Sequence, residues 1–400
     1  MEFVSAALED FRRAEEMLAK DPDIQSAGLY AALVLGDILR VERELDAHPE
    51  MAHTKGGARR WEPLLYVCFS RFADVRSSRA GHLTGTARLL LAHGANPNAS
   101  YEDERWPDNP LPCLYGATGV NNNPDLARVL LDAGARTDDS ESLYHSTEHA
   151  DLTCLRLLLA YGASPHKTNV LKHMLDREDI EGVRLLLAAG ADPNELNQRG
   201  ETALHWAVGR GRGTEIIVAL LDGAAGLNTP RKDGRSAYAL AVRSGQTRTA
   251  ELLAARGANT GLSDFDRLVG ACAAADPADL PRLLASAPKF AVPAEDRRLL
   301  PDLAANHFTS AVGALLALGV PVDTQGDSGE TALHWACWKG YADLVKVLID
   351  HGASLAIEDT VYHATPAGWF SHGRENCGER DGDYPAVERL LSAAGALFVP

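Results

Sequence analysis

Residues 143–150, LYHSTEHA, place two histidines and a glutamate at a spacing that could support metal chemistry. If this segment is helical, His145 and His149 lie one turn apart on one face, where both imidazoles could bind the same ion. Glu148 lies beside them and could activate a water molecule. Two protein ligands are too few for zinc, which takes four in a structural site and three plus water in a catalytic one. A third ligand would have to come from the next helix, where His173 and Asp176 are the candidates.

The metal hypothesis is therefore a divalent ion bound by His145, His149 and a third ligand, which is His173 or else Asp176. The alternative is simpler: His145 and His173 replace apolar residues at one repeated position, and His149 is solvated. The spacing alone does not decide between them, so the elements that must position these side chains have to be identified first.

The chain is built from one unit that is copied many times. The phrase TALHWA occurs at 202–207 and again at 331–336. A second phrase, Leu-Leu-x-x-Gly-Ala, ends most units, as in LLLAHGANPN at 89–98 and LLLAAGADPN at 185–194. The unit at 202–224 predicts a short helix capped by Thr202, a break at Gly211, an amphipathic second helix, and a left-handed Gly-Ala stop.

These phrases resemble the ankyrin repeat family, whose unit is a β-turn followed by two antiparallel helices and carries a T-P-L-H-x-A signature. The resemblance is to a bacterial-type protein of about twelve repeats, several of them degenerate. It implies an all-α solenoid of helix–turn–helix units joined by β-turn fingers and curved around a concave groove. It also implies that His205 and His334 are structural residues that hydrogen-bond the threonine of their own turn, Thr202 and Thr331.

We expect one solenoid over 1–400. Within it we predict degenerate capping repeats at 1–58, central repeats at 59–260, degenerate repeats at 261–319 and C-terminal repeats at 320–400. HSTEH also has the His-x-x-Glu-His spacing of the inverted zinc-peptidase motif. We reject a peptidase function, because that motif belongs to a quite different fold and here falls on the first helix of a repeat.

The spacing of the units is irregular around HSTEH. Most final glycines are 32 to 34 residues apart, but Gly94, Gly134, Gly162 and Gly190 are separated by 40, 28 and 28 residues. The long step contains NASYEDERWPDNP at 98–110, which predicts an enlarged finger. The two short steps predict shortened fingers and hence a gap in the wall of fingers beside the HSTEH helix.

Aligned units place a ring at the fifth position of the first helix in five consecutive repeats. Later positions, which face the groove in the ankyrin family, mix rings with both signs of charge, whereas a solvated face more often alternates lysine and glutamate. Trp338 occupies such a position in a later repeat and is expected to bind, since an exposed tryptophan is costly without a partner. The predicted binding residues are Tyr66, Phe69, Tyr115, His145, Glu148, His149, His173, Asp176, Arg177, Trp206, Arg210 and Trp338.

Composition limits the partner and the location. The formal net charge of −16 disfavours nucleic acid and anionic membranes and favours basic or neutral partners. No apolar stretch approaches the length of a membrane span, and no secretory signal is visible at the start. Six scattered cysteines without a C-x-x-C pair predict reduced core residues in a cytoplasmic protein.

The favoured function is a non-enzymatic scaffold whose groove and fingers bind a protein or peptide, with no cofactor. The alternative is a small-molecule or metal site in the central groove, around His145, Glu148, His149, His173 and Asp176. In that alternative Glu148, His149 and Asp176 would do acid–base chemistry.

Overall fold

The computed structural model describes residues 2–103, 106–274, 296–377 and 382–396. The chain divides into two compact units, Met1–Asp192 and Pro193–Pro400. Part of the segment predicted as degenerate repeats, residues 275–295, lies outside the described residues. Among the described residues, no helix is long and apolar enough to cross a membrane.

The first unit consists of successive helix pairs and one β-hairpin. The helices are α1 Glu2–Glu9, α2 Phe11–Lys20, α3 Leu29–Leu35, α4 Ile38–Ala47, α5 Pro63–Phe69, α6 Ala80–Ala92, α7 Cys113–Tyr115, α8 Pro124–Asp132, α9 Ser140–Ser146, α10 Thr153–Ala160, α11 Val170–Asp176 and α12 Ile180–Ala188. A π-helical turn, Gly116–Val120, follows α7. The strands β1 Ser100–Asp103 and β2 Trp106–Pro112 pair antiparallel, so the enlarged finger is a hairpin.

The second unit continues the helix pairs. Its described helices are α13 Ala203–Gly209, α14 Thr214–Asp222, α15 Ala237–Arg243, α16 Thr247–Ala255, α17 Asp264–Ala274, α18 Leu299–Ala305, α19 Thr309–Ala317, α20 Ala332–Lys339, α21 Ala342–Asp350, α22 Pro366–Asn376 and α23 Tyr384–Ala393. Isolated β-bridges and turns between the pairs form short fingers, such as the bridge from Gln325 to Thr331.

The core of each repeat follows from the Leu-Leu-x-x-Gly-Ala phrase. Leu130, Leu158 and Leu186, each four residues before the glycine, are completely buried. The glycine then takes a left-handed conformation, with φ of 91° at Gly190, and the alanine N–H bonds back to the leucine carbonyl. This motif ends the helix and satisfies its last carbonyls. Four of the five described cysteines are buried free thiols in this core.

The unit at 202–224 departs from the predicted stop. In LLDGAA the glycine is one residue too early, so Ala224 rather than Gly223 takes the left-handed conformation, with φ of 64°. Ala225 still donates to the carbonyl of Leu220 at 2.9 Å, so the fold requires this backbone shape whichever residue occupies it. The prediction of a glycine stop is wrong at this position, because helix length sets the register of the turn.

Replacing Ala224 with glycine is expected to stabilise the second unit by about 1 kcal/mol. A non-glycine residue costs roughly 1–2 kcal/mol in the left-handed region, and glycine loses roughly half to all of 1 kcal/mol in backbone entropy. Urea denaturation measures the difference. The matched control is Ala225→Gly, where φ is not positive and the buried methyl group is lost, so it should destabilise. Destabilisation by both variants would contradict the prediction.

Candidate functional site

The candidate site lies in the first unit, on the first helices of four consecutive repeats. The hairpin β1–β2 stands on one side of it, and its register pairs Tyr101 with Leu111. The connections that follow, 135–139 and 163–169, contain no strand and are much shorter. The enlarged finger therefore precedes the shortened ones, in the order that the spacing of the units predicts.

Ring contacts begin at the N-terminal end of the site. The ring centroid of Tyr66 is 4.9 Å from that of Tyr30 and 5.6 Å from that of Trp61. Trp61 stacks on Tyr101 of the hairpin at 4.1 Å, and Phe69 meets the edge of the same Tyr101 ring at 5.0 Å. The hairpin is thus attached to the helices through rings.

The contacts continue along the repeats. Phe69 is 5.9 Å from Tyr115, and Tyr115 is 5.0 Å from His145. Tyr144 contacts His145 at 5.2 Å and His173 at 4.9 Å. Consecutive repeats are therefore joined by one unbroken ladder of rings, of which the sequence alignment identified Tyr66, Tyr115, His145 and His173. Tyr144 was not predicted, although it precedes His145 directly.

Two of the predicted binding residues are buried. Tyr66 has no exposed surface, and its hydroxyl donates to the carbonyl of Gly56 at 2.8 Å and accepts from the N–H of Arg59 at 2.9 Å. Phe69 is also buried. Both side chains pack in the interior between repeats and support the surface from beneath.

His145 lies between two carboxylates. Its Nε2 is 3.0 Å from Glu141 Oε2, one turn earlier, and its Nδ1 is 2.9 Å from Glu148 Oε2. Asn109 of the hairpin donates to the other oxygen of Glu141 at 2.5 Å. Asp139 caps the helix by accepting from the N–H groups of Glu141 and Ser142, and this fixes the first turn.

His149 does not share a helix face with His145. Helix α9 ends at Ser146, and His149 follows in a bend where its Nε2 donates to the carbonyl of Gly119 at 2.7 Å. The helix ends early because the Thr147 hydroxyl donates to the carbonyl of Tyr144, which competes with further helical bonds. The prediction of one helical face for both histidines is wrong for this reason.

His173 makes its own contacts, separate from those of His145 and His149. Its Nδ1 donates to Thr147 Oγ1 at 2.6 Å. Burial lowers the pKa of His173, so the ring is neutral near pH 7. Asp176 and Arg177, at the end of α11, are exposed.

Across the described residues, no three His, Cys, Asp or Glu side chains form a group that could hold a metal ion. The geometry gives no support to a site built from His145, His149 and His173.

A pocket opens where the gap between fingers was expected. Its volume is about 580 Å³, and it is lined by Asn109, Leu111, Glu141, Tyr144, His145 and residues 167–169. The hairpin forms one wall, and the short connection before α11 forms the other. Pockets of about 300–1,000 Å³ are usual for bound groups.

The pocket is electronegative around Tyr144. Burial raises the pKa of the Tyr144 hydroxyl, and the nearby carboxylates of Glu148, Asp176 and Glu141 raise it further. Three acidic side chains from two repeats thus act on one half-buried phenol. Lys167 lines the same pocket as a cationic residue.

The predicted binding residues of the second unit have partners within the chain. The guanidinium carbon of Arg210 lies 3.4 Å from the ring centroid of Trp206, so the cation covers that indole. Trp338 was expected to be exposed, but it is half-buried. It stacks on His372 at 5.2 Å and meets the edge of Trp369 at 5.9 Å. Packing between α20 and α22 therefore accounts for much of its surface.

The structural role expected for His205 and His334 is confirmed. Nδ1 of His205 accepts from the N–H of Thr202 at 3.2 Å and lies 2.8 Å from its hydroxyl. His334 makes the same contacts with Thr331. Burial lowers the pKa of His205 to about 4 and also lowers that of His334, so both rings are neutral caps of their helices.

The sequence analysis missed a buried ion network in the second unit. Arg235 binds Asp266 at 3.0 Å and Asp296 at 2.8 Å, and Arg243 binds the same two carboxylates. A neighbouring pocket of about 370 Å³ is lined partly by Arg243 and Asp296. The one sequence signal for this network was Arg243, a single arginine in the apolar helix AYALAVR. Helical periodicity alone does not decide whether this arginine lies in the core or at its edge.

Comparisons with known proteins agree with the repeat pattern. The family model for ankyrin repeats matches three copies, over residues 171–264 and 283–365. Inversin from Canis lupus familiaris is 28% identical over 179 residues, which are 45% of this chain and 14% of that protein. The crystal structure of an ankyrin repeat domain from Acinetobacter baumannii is 26% identical, with a TM-score of 0.41, and the match covers 49% of this chain and 98% of that one. The all-α fold of helix pairs joined by fingers is confirmed.

Proposed function

We propose that this chain, which contains ankyrin repeats, is a non-enzymatic scaffold that binds a protein or peptide segment along the ring ladder of its first unit. Ankyrin repeats generally mediate interactions between proteins. The observation that carries the proposal is the coincidence of three features: the ring ladder, the shortened fingers and the pocket beside Tyr144. A segment crossing this surface would contact several repeats at once.

The residues available for contact differ in kind from those that support them. Tyr115, Tyr144 and His145 are half-buried, so each has a rigid base and an accessible edge. Partly exposed aromatic side chains on a rigid support are the usual source of binding energy at interfaces. Because Tyr66 and Phe69 are buried beneath them, ordering these contact residues costs little entropy on binding.

Charge favours a basic or neutral partner. Glu148 and Asp176 are exposed beside the ladder, and Glu141 lines the pocket. Complementary charge raises association rates and suppresses the wrong partners. The scaffold would act in the cytoplasm without a cofactor, and four of its described cysteines are buried free thiols, as is usual in a reducing compartment. We also propose that the whole chain contains about twelve repeats.

The contacts described in the site do not favour the acid–base alternative. His149 and His173 bond to Gly119 and Thr147, and Asp176 is exposed. A catalytic base needs a reacting proton within reach in a shielded cavity. The pocket beside Tyr144 is open and is lined by one imidazole that two carboxylates already engage.

The test is a selection of peptides from a random display library on the full chain, followed by measurement of Kd by calorimetry. For the selected peptides, Tyr144→Ala is expected to weaken binding about tenfold to a hundredfold, as the loss of an interface aromatic residue does. The matched control is Tyr161→Ala, which removes an exposed tyrosine at the end of α10. Equal affinity of wild type and Tyr144→Ala for every selected peptide would exclude this surface as the binding site.

A further inference from the structure

We propose that the pocket of about 370 Å³ beside the buried ion network binds a small organic monocarboxylate. The carboxylate would pair with Arg199 and Lys232, and the apolar body of the ligand would lie against the leucine and phenylalanine side chains of the pocket. The lining residues, from Gln198 to Asp327, all belong to the second unit. This site is therefore separate from the ring ladder of the first unit and does not rest on the proposed function.

The two cations come from two fingers that lie against each other. The Lys232 side chain reaches the finger before α13, where its Nζ donates to the carbonyl of Gln198 at 2.5 Å. A Cβ atom placed on Gly200 would lie 3.0 Å from the Lys232 side chain, so the lysine packs along this finger. Arg199 stands between Gln198 and Gly200, and both Arg199 and Lys232 line the pocket. The fingers thus bring two positive charges to one side of it.

The charged groups of the pocket are unequally paired. Its lining carboxylates each accept a hydrogen bond from an arginine; they are those of Glu201, Asp233, Asp296, Asp302 and Asp327. In the part of the chain that the structure describes, Arg199 approaches only Asp302, at 3.7 Å, which is too long for a hydrogen bond. Lys232 donates to a backbone carbonyl and not to a carboxylate. The pocket is therefore short of acceptors, which an anion would supply.

The surrounding charges favour a ligand with a single negative charge. The side chain of Arg199 is 49% exposed, and Lys232 is exposed, so an anion can reach both. Asp302 and Asp327 line the same pocket and repel negative charge. A dianion such as a phosphate ester would feel this repulsion about twice as strongly as a carboxylate does. We therefore assign a carboxylate.

One part of the wall is apolar. Leu240 of α15, Leu299 and Leu303 of α18, and Phe308 at the start of α19 line the pocket. A small inorganic anion would leave this wall in contact with water, whereas an apolar body attached to the carboxylate would cover it. The volume lies within the range of about 300–1,000 Å³ that is usual for small-molecule sites.

Gly209 leaves open space in the pocket. It is the last residue of α13 and lines the pocket, and a Cβ atom there would meet nothing within 4 Å. A larger side chain at this position can therefore extend into the pocket without displacing other protein atoms. Substitution of Gly209 thus separates occupation of the pocket from the stability of the fold.

The probe is phenylacetate, compared with phenylacetamide, benzyl phosphate and acetate. Kd for the full chain is measured at about pH 8 by NMR titration of the ligand signals, where benzyl phosphate is mostly a dianion. We expect phenylacetate to bind at least about tenfold more tightly than phenylacetamide, which keeps the shape but loses the charge. Benzyl phosphate and acetate should also bind more weakly, because one is repelled by the carboxylates and the other lacks the apolar body.

Variants of the lining residues locate the bound probe. Arg199→Gln combined with Lys232→Gln should weaken phenylacetate binding at least about tenfold, because both cationic donors are lost. Asp302→Asn should strengthen it at least about twofold, because it removes the carboxylate that competes for Arg199. Gly209→Leu should weaken it at least about tenfold by occupying the space of the ligand.

Two controls match these variants. Gly81→Leu makes the same change in α6 of the first unit, where a Cβ atom also meets nothing within 4 Å. Arg256→Gln removes an exposed arginine at the end of α16. Both should bind phenylacetate as the wild type does, and urea denaturation checks that every variant is folded.

Three outcomes would overturn the carboxylate site. They are the absence of saturable phenylacetate binding, equal binding of phenylacetate and phenylacetamide, and unchanged affinity of the folded Arg199→Gln, Lys232→Gln variant. Weaker binding to folded Asp302→Asn would contradict the charge argument and overturn the assignment as well. The peptide test with Tyr144→Ala concerns the first unit, so failure of the proposed function and failure of this inference are distinguished.

Discussion

Replacing Arg243 with methionine is expected to lower the free energy of unfolding of the second unit by about 3–5 kcal/mol. Arg243 is 3% exposed and bonds both Asp266 and Asp296, which are also buried. Without it, one arginine, Arg235, would face two buried carboxylates. Removing one partner of a buried ion pair leaves an uncompensated charge, and this costs far more than the intact pair contributes.

The pKa shifts in the network agree with strong desolvation. Burial lowers the pKa of Arg243, with repulsion from Arg235 acting in the same direction. Burial raises the pKa of Asp296, while that of Asp266 is lowered, because hydrogen bonds and Arg243 outweigh its burial. Each charge is therefore tolerated only because its partners are present.

Urea denaturation followed by tryptophan fluorescence measures this loss, since Trp206 and Trp335 lie in the second unit. The matched control is Arg256→Met, which breaks an exposed pair with Asp222 and should cost no more than about 1 kcal/mol. Adding Asp266→Asn and Asp296→Asn to Arg243→Met should recover part of the stability. If Arg243→Met and Arg256→Met lowered the free energy of unfolding by similarly small amounts, the prediction of an uncompensated buried charge would be contradicted.

Replacing Tyr66 with alanine is expected to lower the free energy of unfolding of the first unit by about 3–5 kcal/mol. The side chain is completely buried, and its ring contacts Tyr30 and Trp61. Its hydroxyl ties down the turn before α5 through Gly56 and Arg59. The substitution would leave a cavity and an unpaired carbonyl at the base of the ring ladder.

Tyr66→Phe separates the two contributions. It keeps the ring and removes only the hydroxyl, so it should cost about 1–2 kcal/mol. Denaturation followed by the fluorescence of Trp61, which contacts Tyr66, reports on both variants. A cost below about 1 kcal/mol for Tyr66→Ala would contradict the burial of this side chain. Peptide affinity measured below the unfolding transition should change less for Tyr66→Phe than for Tyr144→Ala, because Tyr66 does not reach the surface.

The sequence was sufficient to predict the repeating helix pairs. Their signal is redundant, since most units repeat an apolar period and a glycine stop, and some add a threonine cap, and the physical causes of all three are local. The family resemblance implied the structural roles of His205 and His334, and these roles depend on local partners, since Thr202 and Thr331 lie three residues away. The gap beside α9 was predictable from spacing alone, since a shorter connection leaves less material between repeats.

The features that the sequence could not determine depend on where a helix or turn ends, or on partners far away in the sequence. The end of α9 at Ser146 moved His149 off the helix, and the early glycine moved the left-handed turn to Ala224. The first change shortens a helix by a few residues, and the second moves a turn by one residue. Sequence patterns do not resolve such small shifts, because hydrogen bonds at the helix ends decide them.

The sequence by itself determined the fold class, the order of the repeats and the location of their irregularity. Only the tertiary structure decided which rings are accessible, since Tyr66 and Tyr115 occupy the same repeat position but are buried and half-buried, respectively. It alone also brought Arg243 to Asp266 and Asp296, which are 23 and 53 residues away. The reason is physical: helix and turn preferences act over a few residues, whereas burial and charge pairing depend on which repeats stack together.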